Sequence, residues 1–290
     1  MAAISTWWRF LGLCLLLALP ALVLLAAPGS WPRWAFMWLL AVAIFAGCKA
    51  LTWTAAPVRV PWWLHAAYLA WPGMDAAAFL TRPRDVPRPQ AREWTLALTK
   101  TLLGAGLVWG VAGMIPHQLA LLKGWTGMVG LVLLLHFGTF HLLSCAWRAA
   151  GIDAVPLMDR PLASRSVGEF WGRRWNRAFR DLTHRFLFRP LTVRFSARRA
   201  LWLSFLASGL VHELVISLPA RGGWGGPTAF FLVQALAIAV ERSEGGQGLL
   251  AGELGGRLFT FAALALPAGI LFHPPFVRRI LVPLLSAIGV

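Results

Sequence analysis

Charge is scarce in this chain: of its 290 residues only 13% are Asp, Glu, Lys or Arg, against about 25% in an ordinary soluble domain. With 58% hydrophobic residues and a mean hydropathy of +0.66, that scarcity argues against a water-soluble globule and for a chain that lives in a bilayer. Acidic residues are scarcest, 11 against 27 basic ones. All but Lys49, Lys100 and Lys123 of the basic residues are arginine, and they sit in short segments between apolar runs. Their distribution is that of membrane topology rather than of a nucleic-acid surface, so no nucleic-acid partner is expected. Tyrosine occurs once, whereas tryptophan occurs 17 times, as suits an indole at the boundary between headgroups and acyl chains. The three cysteines, Cys14, Cys48 and Cys145, lie in apolar runs with neither CxxC nor zinc-type spacing, and read as small core or lipid-facing residues. There is no GxSxG elbow, no GxxxxGK phosphate loop and no GxGxxG after a strand, which removes the usual support for those chemistries.

What is present is a series of apolar runs. Those near 9 to 27, 33 to 55, 94 to 115 and 124 to 147 are long enough to cross roughly 30 Å of hydrocarbon. Shorter or interrupted ones lie near 62 to 80, 200 to 218, 227 to 241, 257 to 273 and 276 to 290. The expected fold class is all-α: a polytopic transmembrane bundle of about eight or nine helices, one membrane-embedded domain over 1–290 with its core motifs between about 70 and 218. Phe10 to Ala27 reads as a retained first helix rather than a signal peptide, because further spans follow. Thr81 to Glu93, with four arginines, and Trp147 to Arg199, with twelve arginines against four acids, read as cytoplasmic loops. There they can meet anionic lipid or a phosphorylated cosubstrate. The Glu244 to Gly256 stretch, "EGGQGLLAGELGG", reads as a flexible turn.

Two segments carry candidate chemistry. At about 100° per residue, Phe170 to Phe186 projects Trp171, Trp175, Ala178, Phe179, Leu182 and Phe186 on one face and Arg173, Arg174, Arg177, Arg180, Asp181 and Arg185 on the other. This is the pattern of an amphipathic helix lying in the interface. Asn176 falls at the boundary between the faces, either as a solvated edge residue or as an amide that donates and accepts hydrogen bonds in a polar site.

In "LWLSFLASGLVHELVISL", Leu201 to Leu218, His212 and Glu213 lie deep in an apolar run, where ionisable groups are costly. Ser204, Ser208 and His212 repeat every four residues and share one helix face. The histidine is either a hydrogen-bonded structural residue or a base that takes a proton near neutral pH. Glu213 is placed to orient a partner or to pair with an arginine. His136 and His141 are five apart and are not an i, i+4 ligand pair, and no carboxylate is near them in sequence, so no metal site is expected.

"PLASRSVGEFWGRRWN" (Pro161 to Asn176), followed by "FLASGLVHE" (Phe205 to Glu213), resembles the wax synthase branch of the membrane-bound O-acyltransferases. "WPGMDAAAFL" (Trp71 to Leu80) and "GIDAVPLMDRPL" (Gly151 to Leu162) resemble the same branch. The resemblance implies a helical membrane enzyme that moves an acyl group from acyl-CoA to the hydroxyl of a lipophilic alcohol. His212 matches the family's catalytic histidine and Asn176 its accompanying asparagine. On this expectation Arg173, Arg174 and Arg177 bind the phosphates of CoA, while Trp171, Trp175, Ser208 and Glu213 contact substrate. Acyl-CoA is a cosubstrate, with no permanently bound cofactor, and membrane lipids are the surroundings. The family's chains are commonly longer, so a shortened acceptor tunnel is expected. The same chemistry on a sterol, glycerolipid or secondary-metabolite alcohol is the alternative within this architecture; a non-catalytic transporter is the rival of another class, but no inverted internal repeat is visible in the sequence.

Overall fold

A computed structural model of the protein describes residues 2–56, 58–81, 85–249 and 252–290. Among these residues the secondary structure is helical, with no strand. The cause is solvent: where water cannot pair backbone N–H and C=O groups, a helix satisfies them within one segment. Among the described residues five helices are long and apolar enough to cross a membrane: Arg33–Thr54, Ala91–Ala112, His117–Ala149, Ala197–Ala220 and Glu253–Leu271. Phe10–Ala26 and Gly226–Glu241 are shorter apolar helices. Part of the Thr81 to Glu93 loop, residues 82–84, lies outside the described residues, as do 250 and 251 of the glycine-rich stretch. The start of that stretch is not an open turn, because Glu244–Leu249 is helical.

The chain forms two compact units. The first comprises residues 1–115, 126–157 and 289–290. Its core includes Leu40, Leu64, Tyr68 and Phe79. Here Lys49 is buried, with its Nζ donating to the Gly73 carbonyl at 2.5 Å and lying 3.5 Å from the centroid of the Tyr68 ring. The hydrogen bond satisfies a buried amine and ties the "WPGMD" turn to the Arg33–Thr54 helix.

The second unit comprises residues 116–125 and 158–288 and contains both candidate segments. The Ala197–His212 helix packs on Gly226–Glu241, and Gly209 lies in tight contact at that packing. A Cβ on Gly209 would sit 2.7 Å from the Thr228 Cα, so any larger residue would push the helices apart. Membrane helices associate by such close van der Waals packing, since lipid offers no hydrophobic drive between them.

The expected amphipathic helix over Phe170 to Phe186 is broken. A short helix, Val167–Glu169, runs into a π-helical turn, Phe170–Arg174. Trp175 is then extended (φ −95°, ψ 129°), Asn176 is left-handed (φ 42°, ψ 62°), and a new helix runs over Arg177–Thr183. The 100° projection assumes one unbroken helix, so its faces do not carry across Trp175 and Asn176. The break falls at asparagine because, glycine aside, this residue tolerates the left-handed region best.

Candidate active site

The short helix before the break is held at its N-terminus by side chains. Ser166 Oγ accepts from the Glu169 N–H at 2.8 Å, and the Glu241 carboxylate accepts from the N–H groups of Val167 and, at 3.1 Å, Gly168. Glu169 in turn accepts from the Arg165 N–H at 2.8 Å, a variant of the capping box reaching one residue further back. Its carboxyl also binds Arg174, with Nε at 2.8 Å and Nη2 at 2.7 Å from Oε1. Burial pushes the Glu169 carboxyl upward, but the Arg165 N–H and the Arg174 guanidinium prevail and hold it below the usual carboxylate range.

The three arginines expected to meet CoA therefore differ. Arg174 is engaged by Glu169 and by the carbonyls of Asp159 and Arg160, at 3.3 and 3.4 Å. Arg173 is exposed. Arg177 is half-buried, and its Nε is buried without a hydrogen-bond partner.

Asn176 is the N-cap of the helix that follows: its Oδ1 accepts from the Phe179 N–H at 3.4 Å, and its own N–H points to the Met158 sulfur at 3.2 Å. The side-chain oxygen thus has a local partner, while Nδ2 keeps two N–H groups to offer.

His212 is the last residue of the α-helical stretch from Ala197, and a π-helical turn, Glu213–Ser217, begins directly after it. π-turns of this kind are frequent at functional sites. The His212 Nδ1 lies 2.7 Å from the Ser208 carbonyl oxygen. A carbonyl only accepts, so Nδ1 carries the proton and Nε2 keeps its lone pair. The contribution of Ser208 seen here is its backbone; of the serines on this face, Ser204 is turned back on its own helix, its hydroxyl donating to Ala200 O at 2.8 Å.

An aromatic wall joins the two segments. The His212 ring lies 4.5 Å from that of Phe231, Phe231 lies 5.6 Å from Trp171, Trp171 lies 5.1 Å from Phe170, and Phe170 stacks on Trp175 at 5.3 Å and 15°. Phe205 closes on Trp171 edge-on at 6.0 Å. Each such pair contributes about 0.5 to 1.5 kcal/mol beyond burial. Trp175 immediately precedes Asn176, so this wall runs from the asparagine's neighbour to the histidine. The Trp171 Nε1–H donates to Gln234 Oε1 at 3.3 Å, and Gln234 Nε2 donates to the Ala263 carbonyl at 2.8 Å.

Glu213 turns to the Gly226–Glu241 helix, where its Oε1 accepts from both the N–H and the hydroxyl of Thr228, each at 3.1 Å. Phe231, Gln234, Thr228 and Glu241 pack into this candidate site, although in sequence they fall within an apolar run. Gln234 and Glu241, polar in that run, were the available signal; Phe231 gave none.

His141 lies not with His136 but with Glu93 and Cys145, the three potential ligand atoms within 4.8 Å of one another. Thus a carboxylate absent from the neighbourhood in sequence is present in space. Arg148 pairs with this Glu93 and reaches Cys145 Sγ at 3.7 Å, so a guanidinium already supplies positive charge there.

Fold and site thus define an all-helical membrane protein with an imidazole set into an aromatic wall at a helix crossing. Residues 154–233, which hold Asn176, His212 and Phe231, match the Membrane bound O-acyl transferase family. The chain is 32% identical over 143 residues to the long-chain-alcohol O-fatty-acyltransferase of Simmondsia chinensis, a match covering 44% of this chain and 40% of that one. It is 31% identical over 147 residues to the probable long-chain-alcohol O-fatty-acyltransferase 9 of Arabidopsis thaliana, covering 45% and 42%. The acetyltransferase eriL of Hericium erinaceus is 33% identical over 91 residues, covering 28% of this chain and 24% of its own. The matches thus span less than half of these relatives' length. The segment bearing Asn176 and His212 is thus similar to the membrane-bound O-acyltransferases and to proteins named as long-chain-alcohol O-fatty-acyltransferases.

Proposed function

We propose that the protein transfers an acyl group from acyl-CoA to the hydroxyl of a lipophilic alcohol, with His212 as general base. The observation that carries this is the His212 tautomer: Nδ1–H is spent on the Ser208 carbonyl, which leaves the Nε2 lone pair for a proton. In the reaction the alcohol oxygen attacks the thioester carbonyl carbon while its proton passes to Nε2. The C–S bond then breaks, and the imidazolium returns the proton to the departing CoA sulfur. The Asn176 Nδ2 amide positions the thioester carbonyl. A base so placed supplies roughly 10² to 10⁴ in rate, and alignment of two bound substrates supplies more.

Exposed Arg173 and partly buried Arg177 are the arginines best disposed to meet the CoA phosphates, from a cytoplasmic arginine-rich face. Adding the two shorter apolar helices and the segment after Pro274 to the five long ones among the described residues gives eight candidate spans, in keeping with the eight or nine expected. The bilayer around them supplies the lipid phase from which the alcohol arrives. The names of the relatives point to a long-chain alcohol and, for one, to an acetyl group; they set the assay. Membranes containing the protein are incubated with labelled acetyl-CoA or long-chain acyl-CoA and a panel of fatty, sterol and glycerolipid alcohols. A labelled ester that His212→Ala membranes do not make supports the reading, and no ester from any pair overturns it.

A further inference from the structure

The residue after the histidine was expected to contact substrate, yet its carboxylate oxygen already receives two hydrogen bonds from Thr228. We propose instead that Glu213, braced from behind by Ser217 and His273, is a positioning residue that seats the His212 imidazole on Phe231; this rests on the acyl-transfer reading above.

The Thr228 N–H lies in the first turn of the Gly226–Glu241 helix, where N–H groups have no intrahelical partner and a negative charge is favoured. One carboxylate oxygen takes this N–H and the Thr228 hydroxyl together. It therefore clamps the backbone just after His212 to the backbone three residues before Phe231. Residues three apart share a helix face, so the clamp and the His212 to Phe231 contact lie on the same side of the Gly226–Glu241 helix. Gly209, at the crossing, sets how closely the two backbones approach. The Ser208 carbonyl orients the ring within its own helix, and the clamp places that helix against the next.

The brace comes four residues later. His273 Nδ1 accepts from the Phe276 N–H at 3.1 Å, so its proton is on Nε2, which lies 3.3 Å from Ser217 Oγ. Ser217 and His273 are both buried. Gly223, at φ +73°, lies so close under this ring that a Cβ would fall 2.1 Å from it. The π-turn that begins at Glu213 is thus pinned at both ends, by Thr228 and by His273.

The test uses full-length protein in membranes. Glu213→Ala and Thr228→Ala are expected to lower kcat 10- to 100-fold, with KM for acyl-CoA and for alcohol within twofold of wild type. Glu213→Gln, whose amide oxygen still accepts, recovers at least tenfold over Glu213→Ala, and Thr228→Ser recovers likewise over Thr228→Ala. Glu213→Asp keeps the charge but shortens the reach and is expected to lose at least fivefold, which covers the case in which the alanine variants do not fold. A Glu213→Gln enzyme as slow as Glu213→Ala, a Glu213→Asp enzyme at the wild-type rate, or a rise in KM at unchanged kcat overturns the proposal. A second readout needs no ester: the rate at which diethyl pyrocarbonate labels His212, followed by mass spectrometry. It is expected to change at least threefold in Glu213→Ala, Thr228→Ala and His273→Ala, and to return toward wild type in Glu213→Gln, Thr228→Ser and His273→Asn. Unchanged labelling in Glu213→Ala sinks the positioning role even where ester is made. Absence of ester with shifted labelling sinks the acyl-transfer reading alone.

Discussion

The His212 imidazole lies 4.5 Å from the Phe231 ring, centroid to centroid, on a neighbouring helix that shows only apolar character at that point in the sequence. The contact matters because it joins the proposed base to the aromatic wall through Trp171 and Phe170 to Trp175. On the proposed reading, removing the imidazole removes the base and leaves that wall in place. His212→Ala is expected to lower ester formation roughly 10² to 10⁴-fold while the protein stays inserted. Initial rates in membranes, normalised to protein by immunoblot, check this; a rate near wild type rules out His212 as base.

Asn176 holds a left-handed turn and, on the proposed reading, also offers its amide to substrate, and the two duties are separable. Asn176→Ala forces a Cβ without a polar group into the left-handed region and deletes a cap, costing about 1 kcal/mol for each. Asn176→Gly accepts the backbone angle and loses only tenths of a kcal/mol as a cap. The expected outcome is a Tm drop for alanine, little change for glycine, and loss of turnover in both. Thermal denaturation in detergent and ester assays together separate the duties.

The arginines divide in the same manner. Arg173→Ala and Arg177→Ala are expected to raise KM for acyl-CoA several-fold, since loss of a charge-assisted phosphate contact weakens binding. Arg174→Ala is expected to lower stability without that rise, because its guanidinium is spent on Glu169. Saturation curves and melting curves on the three single variants check the division.

Glu169 predicts a pH dependence of stability. Its carboxyl titrates below the ordinary range in the folded protein, so its contribution is present above about pH 4.3, the unfolded value, and is lost as pH falls through the lower folded value. Glu169→Gln is expected to destabilise the protein at pH 7, and the gap between variant and wild type is expected to hold down to about pH 4.3 and to narrow on further acidification. Because both partners are mostly screened from solvent, the effect is measurable, yet small enough to require paired melts in one buffer series.

Trp171→Phe keeps the ring and deletes the N–H that reaches Gln234, with an expected cost of about 1 kcal/mol. Gln234→Leu removes that acceptor and the donor to Ala263. A double-mutant cycle is expected to show the two losses coupled, since the residues share one hydrogen bond.

Much of this architecture was legible in the chain because membranes enforce a simple code. Apolar length gave the spans, and the expense of charge in lipid singled out His212 and Glu213. The FWGRRWN and SGLVHE segments gave the family resemblance. The break at Trp175 and Asn176 was not legible, since tryptophan and asparagine also occur within regular helices, and periodicity alone does not register a single left-handed residue. Nor did spacing show that Glu93, distant in sequence, comes to His141 and Cys145.

By itself the sequence determined that the protein is helical and lives in lipid, because few charges and long apolar runs leave the backbone no other way to pair its polar groups. Tertiary structure alone decided which of the polar residues act on one another: that Arg174 belongs to Glu169, Glu213 to Thr228, and the His212 ring to Phe231. Those pairings depend on how two helices cross at Gly209 and where one helix stops at Asn176. Such distances are set by packing between segments, and no local pattern along a chain encodes them.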